Sequence, residues 1–142
     1  MGDDGDLVIG FDILPLHSSR SKRRAKYACV VMRNGAVLNE YSSLSRRNLI
    51  RLIRELEPAY IATDNIFEIV PDAKSVFRFV RRILHETRIV QVTGVPPKQV
   101  KLKTLARQHD ISVRGKLQPL EAARVSAKLV SMGGGYALEC FS

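Results

Sequence analysis

Two aspartates stand where an acidic side chain is expensive. Asp12 lies within the apolar run Leu7-Val8-Ile9-Gly10-Phe11-Asp12-Ile13-Leu14, and Asp64 interrupts Ala59-Tyr60-Ile61-Ala62-Thr63-Asp64-Asn65-Ile66-Phe67. Burying an ionised carboxylate in such a run costs on the order of several kcal/mol unless a partner, a hydrogen-bond network or a metal compensates it. Carboxylates brought together from separate strands are hard oxygen ligands of the kind Mg²⁺ or Mn²⁺ takes. One or two such ions can stabilise the attacking and leaving oxygens of phosphodiester hydrolysis. Compensation without a metal is open to both residues. Asp12 could accept backbone amides or pair with an arginine, and Asp64-Asn65 suits the start of a turn or a helix.

The charge balance names a partner for that chemistry. The net charge is +9 and the pI about 10.0. Residues 17–26 carry Arg20, Lys22, Arg23, Arg24 and Lys26 without an acid, and a second stretch carries Lys98, Lys101, Lys103, Arg107, Arg114 and Lys116 against Asp110 alone. Either stretch by itself reads as a solvated loop or helix face. Together they favour a polyanion. No long amphipathic segment exposes aromatics, so DNA or RNA is expected and a membrane is not. No apolar run approaches a span of about 20 residues, and Met1-Gly2-Asp3-Asp4 lacks the order of a signal peptide. A cytoplasmic location is the expectation. Cys29 and Cys140 are far apart, His17, His85 and His109 are scattered, and no zinc-ligand spacing results. Both thiols are expected as small buried apolar groups.

The elements that must position the aspartates follow from periodicity. With 142 residues, 45% hydrophobic and 26% charged, the chain reads as one globular domain over residues 1–142, with 1–6 a disordered tail. After the first strand and the basic loop, Lys26 to Met32 and Ala36 to Ser42 are β-rich runs joined by Arg33-Asn34-Gly35. Asn-Gly favours a tight antiparallel hairpin. Ser45 suits the N-cap of a helix whose Leu49, Leu52, Ile53 and Leu56 recur at helical spacing, and Pro58 ends it. Ala59 to Thr63 is a short strand, and Pro71-Asp72 opens a second helix with Val76, Phe79, Val80, Ile83 and Leu84 in one stripe. Arg88 to Val92 is a further strand. A Lys-rich helical stretch then runs through Gln108, and a last helix runs from Pro119 to Ser131, stopped by Gly133 to Gly135. The order implies an α/β fold with a five-stranded mixed sheet, its first three strands antiparallel and its fourth and fifth parallel, covered by helices on both faces.

This order is that of the RNase H-like fold. Val8-Ile9-Gly10-Phe11-Asp12 resembles the opening strand of its RuvC and YqgF branch, and Ala62-Thr63-Asp64-Asn65-Ile66-Phe67 is similar to that branch's fourth-strand motif. With Thr93-Gly94-Val95 and Gly115-Lys116-Leu117-Gln118-Pro119-Leu120-Glu121-Ala122, nearly all of residues 7–141 resembles the archaeal family of RuvC/YqgF-like nuclease-fold proteins. The resemblance implies metal ligation and catalysis by Asp12 and Asp64, with a third carboxylate, Glu121, from the terminal helix. It also implies Mg²⁺ or Mn²⁺, one or two ions, and phosphate contacts from the basic segments. Dimerisation is expected at the level of the family, whose junction-cleaving members act as symmetric dimers.

One position departs from the pattern. Where the branch places a second acid three residues after the first, this chain has Arg124. Glu121 could equally be a first-turn acid favoured by the helix dipole. Glu68, His109 and Asp110 are weaker candidates, and Gly133 to Gly135 lacks the Lys-Ser/Thr of a P-loop. The leading expectation is a metal-dependent nuclease acting on structured nucleic acid, such as branched DNA or a precursor RNA. The alternatives are a non-catalytic nucleic-acid-binding module with an incomplete metal site, and a protein-interaction domain of a larger nucleic-acid-processing factor.

Overall fold

The computed structural model describes residues 5–15, 26–65, 87–94, 100–113, 117–134 and 136–137. Strand β1 (Leu7–Ile13) pairs antiparallel with β2 (Lys26–Arg33), which pairs antiparallel with β3 (Ala36–Ser45). Helix α1 (Arg46–Leu56) leads to β4 (Tyr60–Thr63) and then to β5 (Arg88–Gln91), which is parallel to β4 as β4 is to β1. Helices α2 (Leu102–Gln108) and α3 (Pro119–Ser131) follow, with a two-residue strand β6 (Tyr136–Ala137) antiparallel to β5. The sheet order is β3-β2-β1-β4-β5-β6. The five-stranded mixed arrangement expected from the sequence is therefore present, with β6 added at one edge. The helix expected from Pro71-Asp72 and the basic loop at 17–25 lie outside the described residues, as do residues 1–4 of the expected tail.

Local chemistry accounts for the joints. Asn34 and Gly35 take φ values of 54° and 76°, the left-handed pair a tight hairpin needs. The Ser45 hydroxyl accepts the Asn48 amide at 3.1 Å, closing an orphan donor at the start of α1. Glu57, with φ 46°, caps the other end by donating its amide to the Ile53 carbonyl. Strand β3 runs three residues past the expected Ser42, because Leu44 and Ser45 stay in register with Tyr27 and Lys26.

Alternation along β1 divides the interior into two layers. Ile9 and Phe11 face α1, packing with Tyr27, Cys29, Val31, Leu49, Ile53 and Ile61. Val8 faces the opposite side with Val30, Ala62, Val90 and the buried side of α3. Helices cover both faces, as expected. Cys29 is fully buried, and burial pushes its thiol up to about 12. That fits a packing role and no nucleophilic one.

Candidate functional site

The register of β1 and β4 brings the two aspartates to one end of the sheet. Ile9 lies opposite Ile61 and Gly10 opposite Ala62. Two residues further along each chain stand Asp12 and Asp64. Neighbouring strands are about 4.8 Å apart, and residues two apart point to the same face. Gly10 lies against α3 and Ala62 is in the α3-side core, so alternation carries Asp12 to the α3 side. Asp64, one residue past the end of β4, leaves the strand at the same level.

Helix α3 runs antiparallel to β1 across that face. A Cβ on Gly10 would run into the Ala123 carbonyl oxygen and come within 2.9 Å of the Ala127 Cβ. Further along, the Lys128 ammonium donates to the Gly35 carbonyl at 3.1 Å. Gly35 follows by two residues Arg33, the partner of Leu7 at the start of β1. The other end of α3, with Glu121 in its first turn, therefore lies toward Asp12 and Asp64. Strand and helix direction thus place the chain positions of all three carboxylates toward one end of the sheet.

The chain turns sharply to hold Asp64. The Asn65 amide donates to the Thr63 hydroxyl at 3.1 Å, and the Thr93 hydroxyl donates to the Asp64 carbonyl at 2.9 Å. Thr93 is itself anchored, because the Val92 amide donates to the Thr63 carbonyl and the buried Gln91 side-chain amide to the Gly94 carbonyl, each at 2.9 Å. Gly94, with φ 109°, lets the chain reverse there. Thr93→Val keeps the side-chain shape and removes the bond to Asp64. A loss of about 1 kcal/mol is expected in urea denaturation, together with weaker divalent-ion binding.

The carboxylates differ in how far they are satisfied. The Oδ1 of Asp64 is buried and has no hydrogen-bond partner among the described residues. A carboxylate oxygen in that state fits a hard cation, which would supply the missing contact. Asp12 is half-buried and takes part in an interaction of its own. Glu121 is differently placed. Arg124 donates Nε–H to its Oε1 at 2.5 Å and Nη2–H to its Oε2 at 3.0 Å, and Nη2 also reaches the Ser112 carbonyl at 2.7 Å. The hydrogen bond to Glu121 raises the Arg124 pKa further. Among the described residues, no three His, Cys, Asp or Glu side chains form a group that could hold a metal. The bidentate clamp directs Glu121 to Arg124.

Of the expected phosphate-binding residues, Lys26, Lys101, Lys103 and Arg107 are exposed, the first at the site end of β2 and the others on and before α2. Arg20, Lys22, Arg23, Arg24, Lys98 and Lys116 lie outside the described residues, and so does Cys140. Helix α1 carries further cations, outside both basic stretches expected from the sequence: Arg46, Arg47, Arg51 and Arg54, all exposed. Their recurrence every three or four residues is the signal that betrays them, beside the apolar stripe. No described helix is long and apolar enough to cross a membrane. No protein-family model and no curated protein matches the chain.

Proposed function

We propose that the protein is a metal-dependent nuclease of the RuvC/YqgF-like kind, hydrolysing phosphodiester bonds in branched DNA or precursor RNA. One observation carries this: Asp12 and Asp64 each follow by two residues the paired Gly10 and Ala62 of adjacent parallel strands, and the buried Oδ1 of Asp64 has no hydrogen-bond partner among the described residues. The motif resemblance and the positive charge support it. Asp12 and Asp64 would hold Mg²⁺ or Mn²⁺, which when bound supplies charge stabilisation at the reacting phosphate. Thr93 keeps Asp64 in place, and exposed Lys26, Lys101, Lys103 and Arg107 hold backbone phosphates. The test is cleavage of a labelled four-way DNA junction and a structured RNA with Mg²⁺, Mn²⁺ or chelator. Divalent-dependent cleavage of either is expected. Identical traces with metal and with chelator would refute it.

A second reading has its own support. The Arg124 clamp on Glu121 favours a nucleic-acid-binding module with an incomplete metal site. Arg124→Ala separates the two. On the nuclease reading, freeing Glu121 gives the ion a third ligand, and Mn²⁺ binding by calorimetry tightens by about tenfold, worth ~1.4 kcal/mol. No binding heat in either protein would put the non-catalytic reading first.

A further inference from the structure

Helix α1 lies on the face of the sheet opposite α3, and its outer flank forms an open groove of about 630 Å³ lined by Ser45, Arg46, Arg47, Ile50, Arg51 and Arg54. Four of these six residues are arginines and none is acidic. At 100° per residue, Arg46, Arg47, Ile50, Arg51 and Arg54 fall on one side of the helix, while Leu49 and Ile53 point into the core. Glu55 lies at the edge of this arc. The guanidinium groups therefore crowd one solvent-facing strip about 12 Å long.

This strip is not what helix stability alone would select. The first turn of α1 holds Arg46 and Arg47 and no acid, although the positive end of a helix disfavours cations. A local rule broken without a structural gain points to function. Guanidinium groups also bind phosphate oxygens bidentately and stack on planar surfaces, and half-buried Ile50 gives the groove an apolar floor for sugars and bases.

The groove is also aimed. Ser45, where α1 begins, pairs with Lys26, and Tyr27 pairs with Ile13, next to Asp12. Ser45 is thus at the same end of the sheet as the aspartates, two strand spacings or about 10 Å away within the sheet, and the arginine strip starts there on the opposite face from Asp12.

We propose that the arginine groove of α1 is a binding track for the phosphodiester backbone of the nucleic acid, separate from the α2 and β2 cations and leading to the Asp12–Asp64 end. It rests on the reading that the protein binds nucleic acid, and it does not need the metal site. An extended backbone suits an open groove lined by four arginines along the helix better than a small phosphate.

The test is fluorescence anisotropy of the full chain with a labelled DNA junction across a salt series. The variant is the triple substitution Arg47→Ala, Arg51→Ala and Arg54→Ala. Alanine is the better helix former, and circular dichroism checks that the fold is retained. Each lost phosphate contact lowers the slope of log K against log salt by about 0.9, so a fall of about 2–3 and an affinity loss of at least ~tenfold are expected. An unchanged slope in the folded triple variant would overturn the groove as a track. Displacement of the junction by inorganic pyrophosphate at matched ionic strength would instead identify a small-phosphate pocket and overturn the choice of occupant. Cleavage by the wild-type chain is scored separately, so a track can fail while the nuclease stands, and a binding track can stand where cleavage is absent.

Discussion

Asp64→Asn is expected to abolish divalent-dependent cleavage while raising the thermal stability of the metal-free protein. The two effects have one origin. Asp64 is half-buried, but its Oδ1 is sealed from water and accepts no hydrogen bond from a described residue, so that oxygen bears a desolvation cost that no described residue offsets. An amide of the same shape is neutral and loses less on burial. A gain of about 1 kcal/mol is therefore expected in chelator. With Mn²⁺ the order reverses. The wild-type chain gains stability from any ligand that binds only its folded form, by about 2.7 kcal/mol at a hundredfold excess over Kd. The variant gains little. Losing a ligand that helps stabilise the transition state by several kcal/mol should lower the cleavage rate by roughly 10³-fold or more. Asp12→Ala should lower it similarly, and both variants should still bind nucleic acid, since the cations are untouched. Melting curves with chelator and with Mn²⁺, beside single-turnover cleavage, read all of this. An Asp64→Asn protein that melts lower without metal and cleaves as before would remove Asp64 from the site.

The end of β4 was legible because its cost was legible. An acid following Tyr60-Ile61-Ala62-Thr63 is anomalous by residue type alone, and the order of elements together with the motif resemblance implies that its strand neighbours that of Asp12. Turn and cap chemistry, local by nature, is as the sequence implies at Asn34-Gly35, Ser45 and Pro119. The extension of β3 to Ser45 was not legible, because Ser-Leu-Ser has little strand preference and only the ladder to β2 keeps it extended. The two-residue β6 carries too short a pattern to read. Arg124 is visible in the sequence as a departure. That it grips Glu121 with two hydrogen bonds depends on rotamers, although the i, i+3 spacing permits it. The arginines of α1 escape a periodicity counted on apolar positions, and the same period on charged positions defines the groove.

Gly10→Ala should cost more stability than any surface change in the protein, because the added Cβ would meet backbone. It would run into the Ala123 carbonyl oxygen, with the Ala127 Cβ at 2.9 Å. A flexible side chain could turn away from such an intrusion, whereas the carbonyl belongs to the backbone of α3 and moves only with the helix. Most of α3 is buried, including Ala122, Ala123, Val125, Ala127 and Leu129, so shifting it opens the core layer built on Val8, Val30 and Ala62. Overpacking of this kind costs about 1–3 kcal/mol where side chains can yield, and a loss at or above the top of that range is expected in urea denaturation. The same contact explains why a glycine stands at the middle of a buried strand, where it is otherwise unfavourable. Ala123 and Ala127, one turn apart, complete a close approach of helix to sheet at Gly10, two residues before Asp12 on the same face of β1. Divalent-ion binding in the Gly10→Ala protein, measured at a temperature where it stays folded, is therefore expected to weaken although no carboxylate has been changed. Stability within about 1 kcal/mol of wild type would mean that α3 does not rest on Gly10.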